Sequence, residues 1–116
     1  MPIVTIKTTA RMDTERKKSM TRETMRIIHE TVGAPLANIR VFMESYSADD
    51  FMGEADNAAV IQVEWVAGKQ KEQKKSMIEE LTKTMVEKGG INISNVIVLI
   101  HEIPLSDVGV AGVPRG

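Results

Sequence analysis

Pro2 follows the initiator methionine, and once Met1 is removed it becomes a secondary amine at the start of the chain. An α-amino group ordinarily titrates at about 7.7 to 8. Burial against apolar residues and a neighbouring Arg⁺ both push that value down, because each disfavours the charged amine. An amine held near neutrality is a general base matched to physiological pH. One group that takes a proton from oxygen and returns it to carbon can carry a double bond along a dienol. Cations at a substrate's carboxylate or carbonyl would hold the dienolate-like charge that develops between those two steps. With Met1 retained, the proline nitrogen is an amide without a basic lone pair. The chain would then be a non-catalytic oligomeric binding or interaction module.

The positions around Pro2 gain meaning from an internal repeat. The run Glu15-Arg16-Lys17-Lys18-Ser19-Met20 returns 57 residues later as Glu72-Gln73-Lys74-Lys75-Ser76-Met77, Gly33 returns as Gly90, and Asn38 returns as Asn95. No gap is needed. The same offset sets Pro2 against Ala59, Arg40 against Ile97 and Phe51 against Val108. The proline and the strand arginine therefore belong to one copy only, and the second copy reads as scaffold.

Elements to position these residues follow from local pattern. Ile3, Val4 and Ile6 alternate in part with Thr5, Lys7 and Thr8, as in a strand covered on one face. Asp13 is placed as an N-cap with Glu15 in the first turn, and nothing interrupts a helix until Gly33. Met20, Thr24 and Ile28, with Met77, Leu81 and Met85 in the second copy, give each helix one face to bury. Gly33 and Gly90 fit helix-ending positions with positive φ, and Pro35 blocks continuation of the first helix. Residues Ile39 to Met43, Ala58 to Val66 and Val96 to Ile100 read as strands, the last a continuous apolar run of the kind buried on both faces. Tyr46 to Asn57 is an acidic, turn-rich loop or hairpin between the copies.

Each copy is thus strand, helix, strand, the content of a right-handed parallel βαβ crossover. The expected fold is α/β, an α+β two-layer sandwich: two consecutive β-α-β units forming a four-stranded mixed sheet with two helices on one face. Residues 1–116 form a single domain of two repeats, 2–57 of the catalytic type and 58–116 degenerate. A chain of 116 residues has no third layer to cover the other sheet face, so sheets of several subunits are expected to pack together.

Composition narrows the functional classes. Fifteen Lys and Arg against sixteen Asp and Glu give a net charge of −1 with the signs interspersed, which leaves no footprint for nucleic acid or an acidic membrane surface. The absence of cysteine excludes a disulfide framework and thiolate metal sites. No apolar run has signal-peptide or membrane-helix length, so a cytoplasmic protein is expected. His29 and His101 have no second imidazole at ligand spacing. Asp49, Asp50, Glu54 and Asp56 lack the alternating oxygen ligands and terminal Glu of a calcium loop. Met20, Met25, Met77 and Met85 read as core filler.

Met-Pro, a strand, a helix opening near Asp13-x-Glu15, then Gly33-Ala34-Pro35-Leu36 leading to Ile39-Arg40-Val41, together resemble the tautomerase superfamily, in particular its 4-oxalocrotonate tautomerase group. The second copy adds Gln62-Val63, Gly68-Lys69 and Glu72-Gln73-Lys74, which follow that group's helix entry more closely. The resemblance spans nearly the whole chain and implies a fused two-unit member that assembles as a homotrimer. It implies Pro2 as general base, Arg40 as the carboxylate-binding arginine and Phe51 as part of an apolar wall. The group's second arginine follows a glycine at the helix entry. Here the first copy has Arg11-Met12, one residue early, while the second has Gly68-Lys69 in register, so Arg11 or Lys69 supplies that cation. Lysine there is a point charge without the planar fork that holds a carboxylate bidentately.

The implied activity is keto-enol isomerisation of small 2-hydroxy-dienoate or 2-oxo acids such as 2-hydroxymuconate, without metal or organic cofactor. Among relatives the same scaffold also supports a hydratase or dehalogenase of small unsaturated acids. That chemistry would use protonated Pro2 as acid and a carboxylate, Glu44 or Glu64, to activate water.

Overall fold

The structure is a computed structural model that describes residues 2–53 and 57–116; Met1, Glu54 and Asp56 lie outside the described residues. The chain runs β1 (Ile3–Thr8), α1 (Thr14–Val32), β2 (Arg40–Ser45), β3 (Ala59–Val66), α2 (Lys71–Gly89) and β4 (Val96–Ile103). A short hairpin, β5 (Gly109–Val110) and β6 (Val113–Pro114), closes it. The repeat is visible in the elements. Residues 14–32 become 71–89 at the same offset of 57, and the single 3₁₀ turns Leu36–Asn38 and Ala48–Asp50 return as Ile93–Asn95 and Leu105–Asp107.

The four long strands form one mixed sheet in the order β2-β1-β3-β4. Strand β1 pairs parallel with β2 and β3 parallel with β4, while β1 and β3 meet antiparallel at the centre. The two βαβ units are therefore related by an approximate two-fold axis between β1 and β3. Both helices lie on one face, where Val4, Ile6, Ile61, Val63 and Trp65 meet Met20, Ile27, Ile28, Met77, Leu81 and Met85 in a single core. Cutting one of these side chains back to alanine would cost about 2–5 kcal/mol, since the cavity adds to the lost transfer energy.

Local chemistry sets the helix limits. Asp13 accepts the N–H of Arg16 at 2.8 Å, so α1 starts where the cap is satisfied. Gln70 N–H donates to Gln73 Oε1 at 2.9 Å and opens α2. Both helices end at glycines in the left-handed region, Gly33 at φ 72° and Gly90 at φ 66°, a conformation that costs a side chain with Cβ.

One expectation is corrected. Strand β4 is not buried on both faces: its residues alternate, and Ile97 and Leu99 are 53% and 51% exposed. The reason is its edge position with helix α2 on one side only; among the described residues of one chain nothing covers the other. The link between the units, expected as a loop or hairpin, is a loop with a 3₁₀ turn at Ala48–Asp50 among its described residues. The hairpin occurs at the equivalent place in the second unit. There Ala111 and Gly112 adopt positive φ of 53° and 81°, the pattern of a tight two-residue turn.

Candidate active site

Chain direction gives the sheet two ends. Pro2, the C-terminal end of β3, the β3–α2 loop and the start of β2 share one; the β1–α1 loop, the end of β2 and the start of β3 share the other.

At the first end Pro2 is buried. Its carbonyl accepts the N–H of Arg40 at 3.1 Å, which ties the proline to the strand carrying the arginine. Extending the observed registers by one residue sets Pro2 opposite Trp65 on β3 and Ile39 before β2. Ile39 and Trp65 are 2% and 1% exposed, so Pro2 sits in an apolar row. Arg40 leaves the strand on the opposite, uncovered sheet face and is exposed. Its Nη1 donates to the carbonyls of Ala37 at 2.7 Å and Ile39 at 3.3 Å, which holds the guanidinium near the strand entrance.

The same row of the uncovered face continues through Ile3 and Glu64 to His101, whose Nδ1 lies 4.0 Å from Glu64 Oε2. Lys69 is half-buried in the β3–α2 loop, at the Pro2 end. Below the row, Lys74 in the first turn of α2 is ion-paired with Glu102 of β4.

Arg11 and Phe51 lie at the other end. With six residues in β1, at about 3.3 Å each the two ends stand roughly 20 Å apart. Arg11 is exposed on a cleft of ≈ 810 Å³ shared with Arg16, Tyr46, Ser47 and Asn57. Phe51 is half-buried beside Tyr46 and lines, with Lys7, Thr8, Ala58 and Val60, a mainly apolar pocket of ≈ 210 Å³. The Tyr46 hydroxyl donates to Glu44 Oε2 at 3.1 Å, and this bond to a carboxylate raises the phenol's pKa above its ordinary value. Glu44 is thus at the far end of β2 from Arg40, whereas Glu64 shares the end with Pro2.

A single chain therefore brings together Pro2, Arg40 and the loop of Lys69, and it keeps Arg11 and Phe51 apart from them. The arrangement at the Pro2 end sets a buried proline among apolar side chains with a cation on the adjoining strand. Sequence reasoning missed Trp65 as a member of this end. Its signal was its place seven residues after Ala58 in a strand, but only the antiparallel register sets that place opposite Pro2. Tyr46 was missed for the same reason, being adjacent to Phe51 only through the turn at Ala48–Asp50.

Comparison with known proteins agrees with this architecture. A family model described as a tautomerase enzyme matches residues 60–116, the unit without the proline. The 2-hydroxymuconate tautomerase of Comamonas testosteroni is 42% identical over 52 residues, 45% of this chain and 82% of the relative. That of Pseudomonas putida is 38% identical over the same shares. Among solved structures, Pt0534 inactivated by 2-oxo-3-pentynoate aligns over 97% of this chain and 94% of its own, with a TM-score of 0.91 and 28% identity. A fused 4-OT wild-type symmetric trimer aligns over 97% and 94% with a TM-score of 0.89 at 23% identity, a likeness of fold. With the mixed sheet, the paired βαβ units and relatives covered over four fifths of their length, the chain belongs to the tautomerase family and is an isomerase.

Proposed function

We propose that the chain is a cofactor-independent tautomerase of small 2-hydroxy-dienoate or 2-oxo acids such as 2-hydroxymuconate, with the Pro2 amine as general base after removal of Met1. The observation that carries this reading is the burial of Pro2 in the row with Ile39 and Trp65 while its carbonyl is bonded to Arg40. Apolar neighbours disfavour the ammonium form, so the nitrogen keeps a lone pair near neutral pH. The amine takes the proton of the substrate's 2-hydroxyl; the C–O bond gains double-bond character as the dienol electrons shift, and the same proton is delivered to carbon. One O–H bond breaks and one C–H bond forms, leaving the amine unchanged.

Arg40 binds the carboxylate and draws electron density toward it as dienolate charge develops. Lys69 is the nearer candidate for a second cation, since Arg11 is at the opposite end of its own chain. The wall and the remaining cation are completed in a homotrimer, where a neighbouring copy's Phe51 and Arg11 approach the Pro2 end. Three features support assembly: the roughly 20 Å separation within one chain, the exposed Phe42, Ile97 and Leu99 on the uncovered sheet face, and the relatives whose fused 4-OT structures are trimers. A second reading, hydration or dehalogenation of a small unsaturated acid, is favoured only by Glu64, whose carboxylate shares the Pro2 end with Arg40.

The test is ketonisation of 2-hydroxymuconate, followed by its ultraviolet absorbance, with protein whose intact mass shows Met1 absent. Turnover is expected. Full activity in protein that retains Met1 would overturn the reading, because an amide nitrogen cannot take the proton.

A further inference from the structure

Trp65 is 1% exposed, and its indole N–H is buried without an acceptor among the described residues. Buried donors nearly always find a partner, so an orphan calls for a reason beyond packing. Its place in the sheet is a second observation. Thr9 N–H donates to the carbonyl of Ala58, so in the antiparallel β1–β3 ladder the odd-numbered residues of β1 form the hydrogen-bonded pairs. Pro2 and Trp65 then fall on a non-hydrogen-bonded pair, the type in which side chains of the same face lie closest. On the other side, Trp65 pairs in register with Glu102, the partner of Lys74. On the sheet, Trp65 thus stands between Pro2 and the strand that carries Glu102 of the ion pair.

Resting on the function proposed above, we infer that Trp65 is a positioning residue that sets the basicity of the Pro2 amine by insulating it from water and from the Lys74–Glu102 pair. Other charged and titratable groups at this end sit elsewhere: Arg26, Glu30 and Glu72 line an open cleft between the two helices. Arg40 and Glu64 leave their strands on the opposite face, Lys69 is in the β3–α2 loop, and His29 in the last turn of α1 is engaged by its Nδ1 with the Ala34 carbonyl at 2.7 Å. At the equivalent position of the other unit, Ala59 pairs with Thr8, whose hydroxyl donates to Ala58 and accepts from Ala10. The half without the amine therefore has a self-satisfied hydroxyl where the half with it has an indole.

Trp65 is the only tryptophan, so the test can be made on the unaltered protein. Protein verified by mass to lack Met1 is titrated between about pH 5 and 9. Trp65 emission is recorded beside the rate at which 2-oxo-3-pentynoate labels Pro2, located by peptide mass. The two profiles should share one midpoint. Emission that stays flat through a midpoint seen by labelling overturns the inference alone, whereas no labelling of Pro2 at any pH overturns the proposed base and this inference with it. In variants, Trp65→Gln should raise the labelling midpoint by about half a unit or more, and Trp65→Phe, which restores the apolar face, should return it to the original value. A merely structural tryptophan would lower stability in both and move neither midpoint. Should Trp65→Gln not fold, the emission titration of the unaltered protein still decides.

Discussion

The two ends of the sheet are built on the same plan, and the rows at their strand starts differ in four side chains. At one end the row reads Ile39, Pro2, Trp65, with Arg40 following; at the other it reads Val96, Ala59, Thr8, with Ile97 following. Both starts of strand are buried, Ala59 at 0% exposed. The backbone, the helices and the glycine caps are common to the two, so none of them distinguishes a site. The difference teaches that the fold supplies a sheltered strand start twice and that only one of them carries a proline beside an arginine.

The largest expected effect comes from erasing that difference at its centre. Pro2→Ala leaves a primary amine or a blocked terminus and should lower kcat by roughly 10²–10⁴-fold, the usual worth of a positioned general base, with circular dichroism unchanged. A loss below tenfold in mass-verified protein would remove Pro2 from the chemistry.

Breaking assembly should come next. The protein should run as a species of about 38 kDa, three times the 12.8 kDa chain, in multi-angle light scattering. Leu99→Asp places a charge on the uncovered face, and it should yield monomers with most of the activity gone if sites lie at subunit contacts. A monodisperse wild-type monomer at micromolar concentration refutes the packing argument. The mutation should cost the isolated protomer little, because Leu99 is half exposed there.

Arg40→Ile copies the other end onto this one. A charge-assisted hydrogen bond is worth about 1.5–3 kcal/mol, so kcat/KM should fall roughly 10- to 100-fold. A higher KM with kcat preserved would place the contact in the ground state, and a lower kcat would place it in the transition state. The reciprocal Ile97→Arg should add no activity, since its strand start is Ala59.

The smallest effect sharpens the far end. Tyr46 is the only tyrosine, and its phenol is raised by the bond to Glu44. A group whose folded pKa is raised adds stability that is fully present below its ordinary value of about 10 and is lost as pH rises through the folded value. Absorbance titration of the phenolate should therefore show a midpoint above that of free tyrosine, and Glu44→Gln should bring it down. An unmoved midpoint would mean that the bond does not form in solution.

How far the sequence showed this can be seen residue by residue. Asp13, Gly33, Gly90 and Pro35 act within a few residues of themselves, through caps and fixed φ, and the helix limits were legible from them. The alternation of Val4 and Ile6, and the gapless offset of 57, gave strands and a duplicated unit. Family membership was legible too, though most strongly in residues 60–116, where the proline is missing. Strand β4 misled, because an apolar run states that both faces want cover without stating whether the chain itself provides it.

Sequence alone determined what is local or periodic: two βαβ units, their caps, and the asymmetry of Pro2 against Ala59 and Arg40 against Ile97. Tertiary structure decided which residues meet. The antiparallel junction of β1 and β3 puts Trp65 beside Pro2 although 63 positions separate them. The length of β1 carries Arg11 to the opposite end from Pro2, and the parallel pairing of β1 with β2 sends Phe51 there too. The reason is that strand pairing fixes register across the sheet through hydrogen bonds between distant segments, and no local pattern in either segment specifies that register.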